Sequence, residues 1–223
     1  MPSCAVIIAE AENELMETQS ILLTFREKMK DFLTLNEEEW LVFADYISIR
    51  ELTKNECFAR AGKVCRELGF IIQGGLRYCS QVEGKEITGY FCFENSFVTA
   101  LKSYHTGEPC LYDIRALDKT ILVTLTKKNM EALYAHPLLC DKIERFGRLV
   151  AENFNLLFED RLKAFVIKTP EERYLDLLES GKDIINRIPV QYIAQFIGIT
   201  PVSLSRIRKR ILDATQNAVK KAS

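Results

Sequence analysis

The chain has 223 residues, of which 48% are apolar and 27% charged, with a formal net charge of −1. This balance suffices for one or two packed domains and excludes a disordered or fibrous chain. No run is long enough to cross a bilayer. The start, MPSCAVIIAEAENELME, carries acidic residues after its short apolar patch and no basic stretch before it, so neither a membrane span nor a secretory leader is expected.

The seven cysteines, Cys4, Cys57, Cys65, Cys79, Cys92, Cys110 and Cys140, are odd in number, scattered, and never spaced as CxxC. Mostly buried thiols in the reducing cytoplasm are the expectation. In chain order, residues Ala11 to Arg50 place Ile21, Leu22, Phe25, Met29, Phe32 and Leu33 at helical intervals. LTLNEEEWLVFADYI then starts a new helix with Asn36 as N-cap and an acidic first turn, so two short helices are predicted here.

Between Thr53 and Thr126 the pattern turns to short β-type runs, GFIIQGGLRYCSQ, ITGYFCFE, CLYDIRAL and TILVTLT, punctuated by Gly74-Gly75, Gly84 and Gly107. A small barrel or roll is the predicted outcome. Lys127 to Val166 is helical, interrupted at Pro137. Within it Ile143, Phe146, Val150, Phe154 and Leu157 recur at spacings of three and four, continued by Phe158 and Leu162. That stripe either packs on its own domain or is buried against a second copy of a helix that links two domains. Thr169-Pro170-Glu171-Glu172 then has the composition of a capping box with proline at the first helical position, opening a helix that ends near Gly181.

The near-zero net charge hides an asymmetry. From Asn186 onward seven basic residues, Arg187, Arg206, Arg208, Lys209, Arg210, Lys220 and Lys221, face only Asp213, a formal +6, which leaves −7 for residues 1–185. A basic end on an acidic body points to a polyanion partner.

That end contains IPVQYIAQFIGITPVSLSRIRKR, two helical stretches around a tight turn at Ile197-Gly198-Ile199, the layout of a helix-turn-helix. Ala194 fits where the helices approach most closely, and Gly198 where the turn requires a left-handed backbone. Ile193, Ile197, Ile199, Leu204 and Ile207 supply the apolar contacts between the helices, while Thr200 caps the second helix and Pro201 begins it. Val202, Ser203, Ser205, Arg206, Arg208 and Lys209, with Thr200, are the candidate DNA-contacting residues. An ordinary helical hairpin has the same small residues; the basic second helix favours DNA over it.

With these motifs in place the sequence resembles the Crp/Fnr family of bacterial transcription regulators over nearly its full length. The resemblance implies an α+β fold. Residues 11–136 would form a cyclic nucleotide-binding-like β-roll of jelly-roll type with flanking helices, residues 137–166 a long dimerisation helix, and residues 167–223 a winged helix-turn-helix domain. It also implies a homodimer, with Ile143, Phe146, Val150, Phe154 and Leu157 at the interface, and a two-fold symmetric double-stranded DNA site. RNA polymerase is a further partner of that class of protein. Arg206 would stand at the family's base-contacting arginine, with Val202 and Ser203 at neighbouring positions.

Members that bind cyclic AMP carry Gly-Glu and Arg-Ser or Arg-Thr in the roll, the glutamate for the ribose and the arginine for the phosphate. Here Thr99-Ala100 and Cys110-Leu111 stand at those places. Cyclic AMP is therefore not expected as effector. An unknown small molecule in an apolar pocket including Phe97, Leu101, Cys110 and Tyr112, or no effector, remains. Iron–sulfur chemistry finds only Cys4 near the N-terminus, and haem only His105 and His136. No nucleophile-and-base set, metal cluster or phosphate loop is present, and Gly74-Gly75 fits a turn, so neither an enzyme nor a cofactor is predicted. A dimeric protein-interaction module without DNA affinity is the alternative function.

Overall fold

A computed structural model describes residues 4–179 and 182–222. Its elements are α1 (Cys4–Lys28), α2 (Glu37–Ala44), β1 (Ile47–Leu52), β2 (Cys57–Ala59), β3 (Glu67–Gln73), β4 (Gly75–Val82), β5 (Lys85–Phe93), β6 (Phe97–Val98), α3 (Leu101–Thr106), β7 (Asp113–Ala116), β8 (Thr120–Thr126), α4 (Lys127–Tyr134), α5 (Cys140–Ile167), α6 (Pro170–Glu179), α7 (Lys182–Asn186), α8 (Val190–Ile197) and α9 (Pro201–Ala222). The chain divides into two compact units, residues 1–77 with 91–154, and residues 78–90 with 155–223. None of the described helices is long and apolar enough to cross a membrane.

The first unit opens with α1, which at 25 residues is far longer than the short helix predicted. No glycine or proline interrupts Cys4 to Lys28, so nothing in the sequence stops it sooner. The N-cap of α2 is Asn36. Its Oδ1 accepts the Glu39 N–H (2.9 Å) while Glu39 Oε2 accepts the Asn36 N–H (2.8 Å), a complete capping box. Glu39 is buried yet keeps its charge, because Lys142 Nζ lies 2.5 Å away and, with the Asn36 N–H, holds the carboxyl below the usual carboxylate range. Strand β1 falls inside the stretch predicted as helical; ISIREL alternates β-branched and polar residues over only six positions, too short a signal against the helical pattern before it.

Two sheets follow, ordered β1-β8-β3-β6, antiparallel throughout, and β2-β7-β4-β5, with β2 antiparallel to β7, the β-roll that the short runs predicted. Strand β8 pairs with β1 from Ile47↔Leu125 to Leu52↔Thr120 and with β3 on its other side. Because β3 lies between β8 and β6, Leu68 to Ile71 are all buried, and the strand reads as a continuous apolar run rather than an alternation. Phe70 of β3 meets Phe25 of α1 (5.5 Å between ring centroids) and Phe97 of β6 (5.1 Å); Phe97 in turn meets Phe146 of α5 (6.0 Å). These edge-on and tilted rings join helices and sheet in one core.

The break predicted at Pro137 separates α4 from α5, and His136 Nδ1 accepts the Leu138 N–H (3.2 Å) within it. Ile143, Phe146, Val150 and Phe154 of α5 are buried in the core of the first unit. This corrects their assignment to a dimer interface: the chain's own aromatic core already covers these four, and Leu157 is half-buried. Phe158, Leu162 and Val166, at four-residue intervals further along α5, are instead 51%, 65% and 75% exposed.

In the second unit, α6 starts with the predicted capping box. Glu172 Oε2 accepts the Thr169 N–H (2.7 Å) and hydroxyl (2.8 Å), and Thr169 Oγ1 accepts the Glu172 N–H (3.3 Å). The predicted stop near Gly181 lies outside the described residues, as do the side chains of Lys220 and Lys221. The described residues between 167 and 222 contain helices and no strand, which corrects the wing implied by the resemblance for this stretch. RIRKRILDATQNAVKKA contains no glycine or proline, and α9 runs unbroken through it to Ala222.

Candidate nucleic-acid interface and effector segment

Helices α8 and α9 form the helix-turn-helix. Gly198 has φ 78°, and the helix ends in a Schellman motif in which the Ile199 N–H bonds the Ala194 carbonyl (2.9 Å) and the Gly198 N–H bonds the Gln195 carbonyl (3.0 Å). A side chain at 198 would be strained by that φ, and its Cβ would come within 3.2 Å of the Phe165 ring. Ala194, Ile193, Ile197 and Leu204 are completely buried and Ile207 nearly so; Ile199 is half-buried. Thr200 Oγ1 accepts the Ser203 N–H (3.2 Å) and lies 3.0 Å from the Ser203 hydroxyl, capping α9, which begins at Pro201.

Three polar residues that sequence reasoning did not single out hold this hairpin in place. Arg173 of α6 donates to the Ile197 carbonyl at the end of α8 (2.8 and 3.1 Å) and to the Ala164 and Lys168 carbonyls at the end of α5 (3.3 and 2.6 Å). Arg161 donates to the Phe196 and Gly89 carbonyls (2.5 and 3.1 Å) with its guanidinium 3.6 Å from the Phe196 ring centroid. Burial lowers its pKa to about 10, so it stays charged at neutral pH. Gln195 Oε1 accepts from the Thr88 N–H (3.2 Å) and hydroxyl (2.7 Å), and its amide donates to the Glu86 carbonyl (2.8 Å). Arg161 four residues before Phe165 on one helix face was the available signal, but nothing in spacing says which carbonyls such an arginine will cap.

Of the candidate DNA-contacting residues, Thr200, Val202, Ser205, Arg206 and Lys209 are exposed and Ser203 is half-buried. Arg206 and Lys209 form no ion pair with a described residue, whereas Arg210 pairs with Glu171 (2.6 Å). Arg208 stands apart from the group. Its Nε donates to the Tyr174 hydroxyl (3.0 Å) and its guanidinium lies over that ring, because residue 208 follows Ile207 on the side of α9 turned toward α6.

In the roll, β6 leads through Thr99-Ala100 into α3 and then a loop to Tyr112. Thr99 Oγ1 donates to the Glu67 carbonyl (2.8 Å), Ala100 and Cys110 are buried, and Leu111 is exposed. Glu108 turns outward to Lys102 (2.8 Å). Phe97 lies in the aromatic core, Leu101 and Tyr112 are half-buried, and burial raises the Tyr112 phenol to about 12.

Residues 49–136 match the cyclic nucleotide-binding domain model. Among solved structures, FixK2 from Bradyrhizobium japonicum aligns with TM-score 0.60 at 14% identity over 76% of this chain and 86% of that one. The regulator CLP from Xanthomonas campestris aligns with TM-score 0.62 at 13% identity over 78% and 90%, and a crp/fnr-family transcriptional regulator from Eubacterium rectale with 0.62 at 15% over 81% and 85%. The chain has the Crp/Fnr-type regulator fold. No curated protein matches it by sequence. Within the matched residues the segment from β6 to Tyr112 forms a strand, a helix and a loop, in which Ala100 and Cys110 are buried.

Proposed function

We propose that this chain is a sequence-specific DNA-binding transcription regulator that acts as a homodimer. The observation that carries this reading is the exposed face of α9. There Val202, Ser205, Arg206 and Lys209 lie side by side, two of them cations without an ion-pair partner among the described residues, on a helix held by a complete helix-turn-helix core. Arg206 is the residue for a guanine edge, since its fork can bond two acceptors at once, and Lys209 suits a phosphate. A homodimer would set two such helices about 34 Å apart, one duplex turn, and so favour a two-fold symmetric site. The exposed stripe of Phe158, Leu162 and Val166, next to Leu157, is the surface we propose for that pairing. Cyclic AMP is not the effector on this reading, because a cyclic phosphate would meet the Cys110 thiol instead of a guanidinium.

The test is selection of bound duplexes from a random library at two salt concentrations, followed by Arg206→Ala and Arg208→Ala. Recovery of a palindrome is expected, with log affinity falling against log salt by about 0.9 per neutralised phosphate. Arg206→Ala should cost about 1–3 kcal/mol at the selected site and far less on random duplex, while Arg208→Ala should leave the sequence preference intact. A folded dimer that captures no duplex, and whose surface binds protein with little salt dependence, would replace this reading by the interaction-module alternative.

A further inference from the structure

The first unit contains a cavity of about 210 Å³ between α3, α4 and α5; Thr99 and Leu101, on either side of Ala100, line it, whereas Phe97, Cys110 and Tyr112 do not. Leu68, Met130, Val150 and Phe154 give it apolar walls. Its volume exceeds the roughly 150 Å³ of an engineered apolar cavity that accepts benzene.

Two further features distinguish it from a packing defect. Tyr104 lines it and is 9% exposed, and its hydroxyl is fully buried without a hydrogen-bond partner among the described residues. Burial pushes the Tyr104 phenol above its ordinary pKa, with Tyr134, Cys65 and Glu131 adding to the shift, so the hydroxyl stays protonated. A buried hydroxyl left unbonded costs about 1–3 kcal/mol, a cost that a bound acceptor would remove. The wall at α5 includes Gly147, where an added methyl would overlap the Tyr134 hydroxyl. Glycine thus lets α4 and α5 close around the space without filling it.

The charged residues at the cavity define what can enter. Lys127 Nζ is bound to the Tyr104 and His105 carbonyls (2.9 and 3.0 Å), where it caps the end of α3 rather than waiting for an anion. Glu131 is exposed and would repel an anionic group. We infer that this cavity is a binding site for a small neutral molecule, one ring in size, with an apolar body and a single acceptor oxygen that bonds the Tyr104 hydroxyl. The inference stands independently of whether α9 engages DNA.

Acetophenone is the probe, with ethylbenzene as the same shape lacking the oxygen, titrated into the full-length protein without DNA while the methyl resonances of Met130 and Val150 are followed. Saturable shifts of both methyls are expected, abolished by Ala151→Leu, which fills the space from α5. Tyr104→Phe should weaken acetophenone about fivefold, the worth of one neutral hydrogen bond, and leave ethylbenzene unchanged. The same variant should melt no lower than the parent, since it removes an unbonded polar group. Absence of any shift in folded protein, shifts that survive Ala151→Leu, or equal loss for both probes in Tyr104→Phe would each overturn the inference.

Discussion

Segments 97–112 and 189–210 are built by similar means and spend their polar groups in opposite ways. In the first, Thr99 donates to the Glu67 carbonyl, and Ser103 donates to the Glu108 carbonyl (2.5 Å) while accepting the Cys65 N–H (2.9 Å). Those hydroxyls serve the backbone, and the buried Ala100 and Cys110 beside them carry no charge for a ligand. In the second, the cap at Thr200 and the turn at Gly198 satisfy the backbone, and Arg206 and Lys209 are left over on the surface. Backbone form survives wherever apolar and turn residues are kept, whereas the capacity to meet a charged partner rests on one or two side chains.

The largest effect should come from placing a charge inside the roll. Cys110→Arg buries an unpaired guanidinium and should lower stability by about 3–5 kcal/mol in urea unfolding. A variant of unchanged midpoint would mean that the position opens to water and that the contrast drawn above fails. Next, Ala194→Leu should cost about 1–3 kcal/mol by wedging α8 from α9, with duplex binding falling alongside. Retained stability with retained binding would show that the hairpin tolerates what its buried alanine suggests it cannot.

A smaller effect concerns acid. The Thr169 N–H and hydroxyl lower the Glu172 pKa, so its contribution is present above the unfolded carboxyl pKa and is lost as pH falls through the lower folded value. Glu172→Gln should lower the neutral plateau slightly and leave the acid end unchanged, so that stability falls less steeply below the ordinary carboxylate range. An equally steep fall would remove this cap from the account.

Much of the helix-turn-helix was legible because each feature depends on a residue type with few substitutes: Gly198 for positive φ, Thr200 and Pro201 for the start, Ala194 and Leu204 for close approach. The N-cap at Asn36, the capping box at Thr169 and the break at Pro137 were legible on the same grounds. The stripe of α5 was visible but its partner was not, since periodicity reports that a face is buried and not against what; Phe146 and Phe154 proved to face the roll. Arg208 was misplaced by about a third of a turn, a difference that only the ring of Tyr174 decides. Strand β1 and the missing wing were lost for opposite reasons, one because its alternation is too short to outweigh its neighbours, the other because resemblance supplied an element that the helix-forming run after Arg210 does not allow. The cavity beside Tyr104 was beyond sequence reasoning altogether, since an unmet hydroxyl is a property of three helices at once.

Arg173 carries a consequence for tolerance to substitution. Its three nitrogens reach carbonyls at the ends of two different helices in one planar fork. A lysine offers a single ammonium and can reach one helix end at a time, so the usual exchange of one cation for another would uncap α5 or α8. The position is therefore set to accept arginine alone, by a constraint that comes from hydrogen-bond geometry and not from charge.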